Sequence, residues 1–274
     1  MIDLIVVRQN VEDPYAGIEH QQTPGVAQCL KLMSRKGCEK IVRLAFEVAV
    51  AEGRTSVTCA TKANIMKRTE GLLKRTFEEV AQEYPQIEPR TILVDACAHQ
   101  LVRTPEAFEV IVTSNMNGDI LSDLTSGRVG GLGFAPGANI GAEVANIGAE
   151  VAIFEAVHGS APTIAGKDIA NPSAVVLSAV MMLRHLDEDA LALRVENALL
   201  AALEQGVATA DIAAPCGADR TQRFADAVIE RLGQAPSRFA ARPQQRRRTP
   251  VTVKDLAAPG KRVTLGADVF IARR

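Results

Sequence analysis

Four short apolar runs, at residues 2–7, 55–60, 90–95 and 108–113, are separated by stretches of helical periodicity, and this alternation constrains the fold more than any other feature. It argues for an α/β architecture. Ser34 is placed to cap a helix whose apolar positions Ile41, Leu44, Ala45 and Val48 share one face, with Gly53 to end it. Asn171-Pro172 offers an N-cap with proline at the first helical position for a helix through His185, and Asp187 or a neighbour opens another that ends at Gly206. Of the 274 residues, 47% are apolar and 23% charged, enough for a substantial core in one large or two modest domains. No apolar run approaches the roughly 18–20 residues that cross a bilayer, and Met1 leads straight into a strand-like run without a basic leader. Cys29, Cys38, Cys59, Cys97 and Cys216 are irregularly spaced, with no C-x-x-C, and read as reduced, core-filling thiols. A cytoplasmic protein with no membrane partner is expected.

The chemistry concentrates between residues 115 and 172. Asp119 and Asp123 stand four apart, so a helix that begins after Gly118 would project both carboxylates from one face. Oxygen-only ligands with no His or Cys nearby favour Mg2+ or Mn2+ over zinc. An isolated D-x-x-x-D is as readily a solvated helix face. Here it is followed by Gly127, Gly130, Gly131, Gly133 and Gly137 and then by His158-Gly-Ser-Ala-Pro162. Glycine at that density lets backbone approach a ligand closely or take up positive φ.

Several blocks, in order, resemble the metal-dependent oxidative decarboxylases that include isocitrate and isopropylmalate dehydrogenases. They are Arg8-Gln-Asn-Val-Glu-Asp-Pro-Tyr15 through His20, Thr61-Lys-Ala-Asn-Ile-Met-Lys through Gly71, Val94-Asp-Ala96, Asn117 through Asp123, and Glu155 through Asn171. The similarity extends over roughly residues 2 to 232. It implies that family's two-domain α/β fold, missing its N-terminal part. Residues 1–129 would be a small domain for dimerisation, substrate and metal, with a clasp-like segment at 13–34. Residues 130–234 would be the C-terminal part of the cofactor-binding domain, and 235–274 a linker and basic tail.

The resemblance also implies roles. Asp95, Asp119 and Asp123 would hold Mg2+ or Mn2+, with Asp95 donated by the neighbouring subunit of a homodimer. Lys62 would transfer a proton, again across the interface, and Tyr15 would protonate the enolate carbon. By themselves, Lys62 and Asp95 read as strand-end polar residues. Arg8 would grip a substrate carboxylate, for which a planar guanidinium fork is suited, and Asn64 would touch substrate or cofactor. His158, Gly159, Ser160, Ala161, Pro162 and Asn171 would hold the adenosine half of NAD or NADP. A 2′-phosphate needs cations, and Thr163, Ile164, Ala210 and Ala214 stand where NADP members place polar or cationic side chains, so NAD is favoured. Gln9 and Thr61 replace residues usual in the family.

The Asn10-x-Glu12 spacing and Gly17-Ile-Glu-His20 point to isocitrate as the hydroxy-acid substrate, with isopropylmalate, homoisocitrate or tartrate, or a non-catalytic subunit, as alternatives. The family's substrate serine and paired arginines precede the Arg8 block and have no counterpart, so the 274-residue chain alone is expected to turn over little. Ala138-Asn-Ile-Gly-Ala-Glu-Val144 is repeated at once as Ala145 to Val151, a tandem duplication in a segment the family carries once. Residues 234–274 hold ten Arg or Lys against Asp255 and Asp268, a balance of +8 in a chain of net charge −1. Nothing in the resemblance gives that tail a nucleic-acid partner.

Overall fold

The computed structural model describes residues 2–141, 151–212, 218–238 and 241. In chain order they form β1 (Ile5–Arg8), β2 (Glu19–Thr23), β3 (Val26–Cys29), α1 (Arg35–Ala51), β4 (Ser56–Thr61), α2 (Thr69–Val80), β5 (Glu88–Leu93), α3 (Val94–Arg103), β6 (Val110–Thr113) and α4 (Asn115–Val129). Then follow β7 (Pro136–Ile140), β8 (Ala152–Ala156), α5 (Ser173–His185), α6 (Asp189–Glu204) and α7 (Thr221–Glu230).

Strands β1, β6, β4 and β5, in that order, make an all-parallel sheet. They are the four apolar runs of the sequence, with no end displaced by more than three residues. Side chains alternate across a strand, so the sheet feeds two cores. Val7, Val57, Cys59, Val110 and Val112 pack with α1 and α2 on one face, while Ala60 and Ile111 pack with Cys97, Leu101 and Leu121 of α3 and α4 on the other. The central strand β4 is buried at all six positions, as a strand covered on both faces must be. A third core joins Ala198, Leu199, Ala202, Phe224 and Val228 of α6 and α7 with residues of α5. The sheet cores draw on residues up to Leu124 and the third on residues from Val176.

The helix signals hold with two shifts. Ser34 Oγ accepts the Gly37 N–H at 3.0 Å, and Gly53 turns the chain at φ 64° beyond the end of α1. Asn171 Oδ1 accepts the Ser173 N–H at 3.0 Å, so α5 starts one residue later than expected, with Pro172 at the cap rather than inside the helix. The second shift is at Gly118, which lies within α4 rather than before it. The basic segment 242–274 with its strand-like end, Ala214, Cys216 and residues 142–150 of the duplication lie outside the described residues.

Phe46, Phe77 and Tyr84 form a ring stack, with centroids 5.4 Å and 4.8 Å from Phe46, that binds α1 to α2. Phe77→Ala is therefore expected to cost about 3–5 kcal/mol, the range for truncating a fully buried aromatic. A urea midpoint that corresponds to less than about 1 kcal/mol would show the stack to be dispensable. Burial pushes the Cys38 and Cys97 thiols up to about 12 and Cys59 well above its ordinary value. Iodoacetamide at mildly alkaline pH should therefore leave these three unmodified until the protein is denatured, as mass spectrometry would read.

Candidate active site

Because the four sheet strands run parallel, their C-terminal ends share one edge, where open α/β sheets bind ligands. In register, Arg8 ends β1 beside Thr113 of β6, and Thr61 ends β4 beside Leu93 of β5. The next residues into the loops and helices include those to which the family resemblance assigns chemistry.

The Arg8 side chain reaches across the first turns of α4. Its Nε donates to Asn115 Oδ1 at 2.9 Å, its guanidinium pairs with Asp119, and its Cζ lies 5.1 Å from the Tyr15 ring centre. The Tyr15 hydroxyl donates to the other Asp119 oxygen at 2.7 Å. That bond to a carboxylate raises the Tyr15 pKa, so the phenol keeps its proton. Gly118 makes the approach possible: a Cβ there would sit 2.6 Å from Arg8 Cγ. Asp119 is half exposed, and Asp123, one turn on, is exposed.

On the neighbouring strand ends, Lys62 Nζ pairs with Asp95 Oδ1 at 2.7 Å. The hydrogen bond from Lys62 lowers the pKa of Asp95. Asn64 is exposed in the turn that the Lys62 carbonyl closes by accepting the Ile65 and Met66 N–H groups. The structure thus gathers Arg8, Tyr15 and Asp119 into one group and Lys62 and Asp95 into another. Among the described residues no three His, Cys, Asp or Glu side chains come close enough to hold a metal ion.

Behind both groups lies a buried network that the motifs did not reveal. Lys31 Nζ lies between Asp13 and Glu70, the latter at 2.8 Å. Asp13 Oδ2 accepts the Met116 N–H at 2.8 Å, and Glu70 accepts the Ser114 hydroxyl at 2.9 Å and the Lys62 N–H at 3.2 Å. Glu70 reads in sequence as an ordinary acidic residue in a helix's first turn. Gly118 had a signal, a helix-interior glycine, which is costly without a reason.

The loop proposed to hold adenosine follows β8. His158, Gly159, Ser160, Ala161 and Pro162 are all exposed, and His158 Nδ1 lies 2.9 Å from the Gly159 carbonyl oxygen. Asn171 stands apart from them: it is buried, and besides accepting the Ser173 N–H it donates to Asp211 Oδ2 at 3.1 Å. Gly133 packs against it, since a Cβ there would lie 2.8 Å from Asn171 Cβ. A polar chain joins the paired strands β7 and β8 to the sheet edge, Asn10 donating to Asn139 and Asn139 to Glu155 at 3.0 Å.

Residues 1–228 match the isocitrate/isopropylmalate dehydrogenase family. The chain is 60% identical over 273 residues to a Thermus thermophilus protein named isocitrate dehydrogenase [NADP], covering 98% of this chain and 54% of that one. It is 43% identical to a Dictyostelium discoideum protein named as a mitochondrial regulatory subunit of isocitrate dehydrogenase [NAD], over 84% of this chain and 61% of that one. The crystal structure of isocitrate dehydrogenase from Methylococcus capsulatus superimposes with a TM-score of 0.78 at 44% identity, over 85% of this chain and 68% of that one. The chain spans about half the length of the first of these curated relatives. The matched family, the shared parallel sheet and the side chains gathered at its edge agree, and the chain belongs to the isocitrate/isopropylmalate dehydrogenase family.

Proposed function

We propose that this chain supplies half of a composite site for the metal-dependent oxidative decarboxylation of isocitrate to 2-oxoglutarate, with reduction of a nicotinamide dinucleotide. The observation that carries the reading is the Arg8–Asp119–Tyr15 group set on one sheet edge with Lys62 and Asp95. Asp119 and Asp123, one helical turn apart, offer only oxygen, which fits Mg2+ or Mn2+. Two carboxylates do not complete a coordination shell, so Asp95 of a second copy and the substrate's own oxygens would complete it, which makes the working unit a homodimer. When bound, the dication draws charge from the substrate hydroxyl and adjacent carboxylate, and the dinucleotide accepts the hydride.

The chain's own residues do the rest. Arg8 releases Asp119 to pair with a substrate carboxylate, keeping its charge compensated in either state. Lys62 takes the hydroxyl proton once its ammonium has given up its own to solvent. Tyr15, whose phenol the Asp119 carboxylate keeps protonated, delivers a proton to the carbon that CO2 has left. His158, Gly159, Ser160, Ala161, Pro162 and Asn171 face the adenosine half of the cofactor, and Asn64 touches substrate or cofactor. The free thiols among the described cysteines support a reducing, cytoplasmic setting. Among the described residues no helix is long and apolar enough to cross a membrane. A second reading, a non-catalytic partner subunit, is favoured by one relative's name and opposed by the retained Lys62, Tyr15 and aspartates.

The test is nicotinamide reduction by the full-length protein, with isopropylmalate as the competing acid. Turnover, low for the 274-residue chain by itself, is expected only with isocitrate and Mg2+ together, and to vanish with EDTA; activity indifferent to chelation would sink the reading. Thr163, Ile164 and Ala210 provide no cation for a 2′-phosphate, so NAD is expected to give the higher kcat/KM. The relative named for NADP argues the other way. The reverse order would mean that the cations come from outside those positions. For Gly118→Ala, helix propensity would add about 1 kcal/mol of stability, yet the new methyl must displace Arg8. Activity should drop about ten-fold or more while the fold is kept, and a variant with unchanged kcat/KM would disconnect Arg8 from substrate.

A further inference from the structure

We infer that Glu70, held by Lys31, is a positioning residue that fixes the backbone of Lys62 against the first turn of α4. The inference rests on the roles proposed above for Lys62 and Asp119.

Glu70 is fully buried at the start of α2, yet its carboxylate is not spent on its own helix. One oxygen takes the Ser114 hydroxyl at 2.9 Å and the Lys31 ammonium at 2.8 Å, and the other takes the Lys62 backbone N–H at 3.2 Å. The Asn117 amide lies 3.4 Å and 3.5 Å from the two oxygens. One side chain thus grips the residue that starts the β4–α2 loop and two residues in the first turn of α4, the helix that carries Asp119. Lys31 holds Asp13 as well, and Asp13 takes the Met116 N–H at 2.8 Å. The pair of carboxylates therefore clamps α4 at Ser114, Met116 and Asn117 through a shared cation.

A neutral amide could fill the same space at lower desolvation cost, so a charge here needs a reason. An ionised acceptor gives shorter, stronger bonds to N–H and O–H donors than a neutral one. That strength is spent on the two places whose separation fixes how Lys62 stands relative to Asp119. Lys31 lies two residues beyond β3, so the segment 13–34 read as a partner clasp contains the cation that holds this assembly.

The test compares Glu70→Gln, which keeps shape and removes charge, with Lys31→Met, which removes the shared cation. Ser114→Ala is the third variant; it deletes one donor and leaves both charges, so it remains informative where the others fail to fold. Reductive methylation of each lysine in the native full-length protein, quantified by mass spectrometry, needs no turnover. With its backbone released, the Lys62 amine is held less firmly by Asp95. Its labelling is expected to rise several-fold in Glu70→Gln and Lys31→Met and about two-fold in Ser114→Ala, with Lys67 and Lys74 unchanged. In the same proteins kcat is expected to fall about ten-fold, with KM for isocitrate within about two-fold of wild type. Unchanged Lys62 labelling overturns the inference whether or not the wild type turns over. An equal rise at all three lysines also overturns it, because that reports general loosening. A wild-type protein that reduces no nicotinamide counts against the proposed function alone, since the labelling stands without it.

Discussion

A single ammonium, the Nζ of the largely buried Lys31 side chain, lies between the carboxylates of Asp13 and Glu70, both fully buried, and the candidate site edge of the sheet is organised around it. Asp13 belongs to the loop after β1, Glu70 to α2, and their backbone and hydroxyl donors to the start of α4. Two buried carboxylates sharing one cation would repel at a cost of several kcal/mol if backbone N–H groups did not also face them. With those donors in place, each member depends on the others. Taking away one partner of a buried pair leaves a stranded charge, typically worth about 3–5 kcal/mol. The loop that begins at Lys62 and the helix that carries Asp119 are consequently parts of one rigid corner.

The sheet is legible in the sequence because its strands coincide with short apolar runs, and β4 and β6 are buried at every position, the pattern that burial on two sides requires. The hairpin of β2 and β3 is not. Its first strand, Glu19-His-Gln-Gln-Thr23, is polar and largely exposed, so no apolar alternation marks it. Helix α5 starts one residue later than its motif suggests for a physical reason: the Asn171 side chain bonds to the N–H two residues on, an Asx-type turn that puts Pro172 in the capping position. Asp119 and Asp123 share one helix, as their spacing predicts, but that helix starts before Gly118, because the glycine serves Arg8 packing rather than a turn.

Candidate site residues carried by contiguous motifs can be proposed from the sequence, whereas those defined by long-range contacts cannot. Arg8, Tyr15 and Asp119 stand in recognisable strings, and the structure brings them together. Glu70 is forty-four positions from Ser114, and nothing local in Thr-Glu-Gly marks it as their common acceptor. Lys31 sits in an undistinguished stretch and becomes visible only when β1, α2 and α4 are in place. His158 and its neighbours are exposed and make few contacts, so their assignment still rests on the motif.

The arrangement along the edge bears on how many chains a working site needs. The strand order places β1 and β5 at opposite ends of the sheet, three inter-strand gaps apart, or about 14 Å at the usual spacing. Asp119 is held to Arg8 at the β1 end, whereas Asp95 begins α3 directly after β5 and is paired with Lys62. A dication reaches its oxygen ligands over only about 2–2.6 Å. Among the described residues Asp95 does not join Asp119 and Asp123 in a group that could hold a metal ion. Lys62 and Asp95, salt-bridged to each other, move as a unit, so a second copy that delivers one delivers both. Among the described residues the Arg8–Asp119–Tyr15 group and the Lys62–Asp95 pair are thus separate clusters on one edge, and the composite site proposed above would draw one cluster from each of two copies.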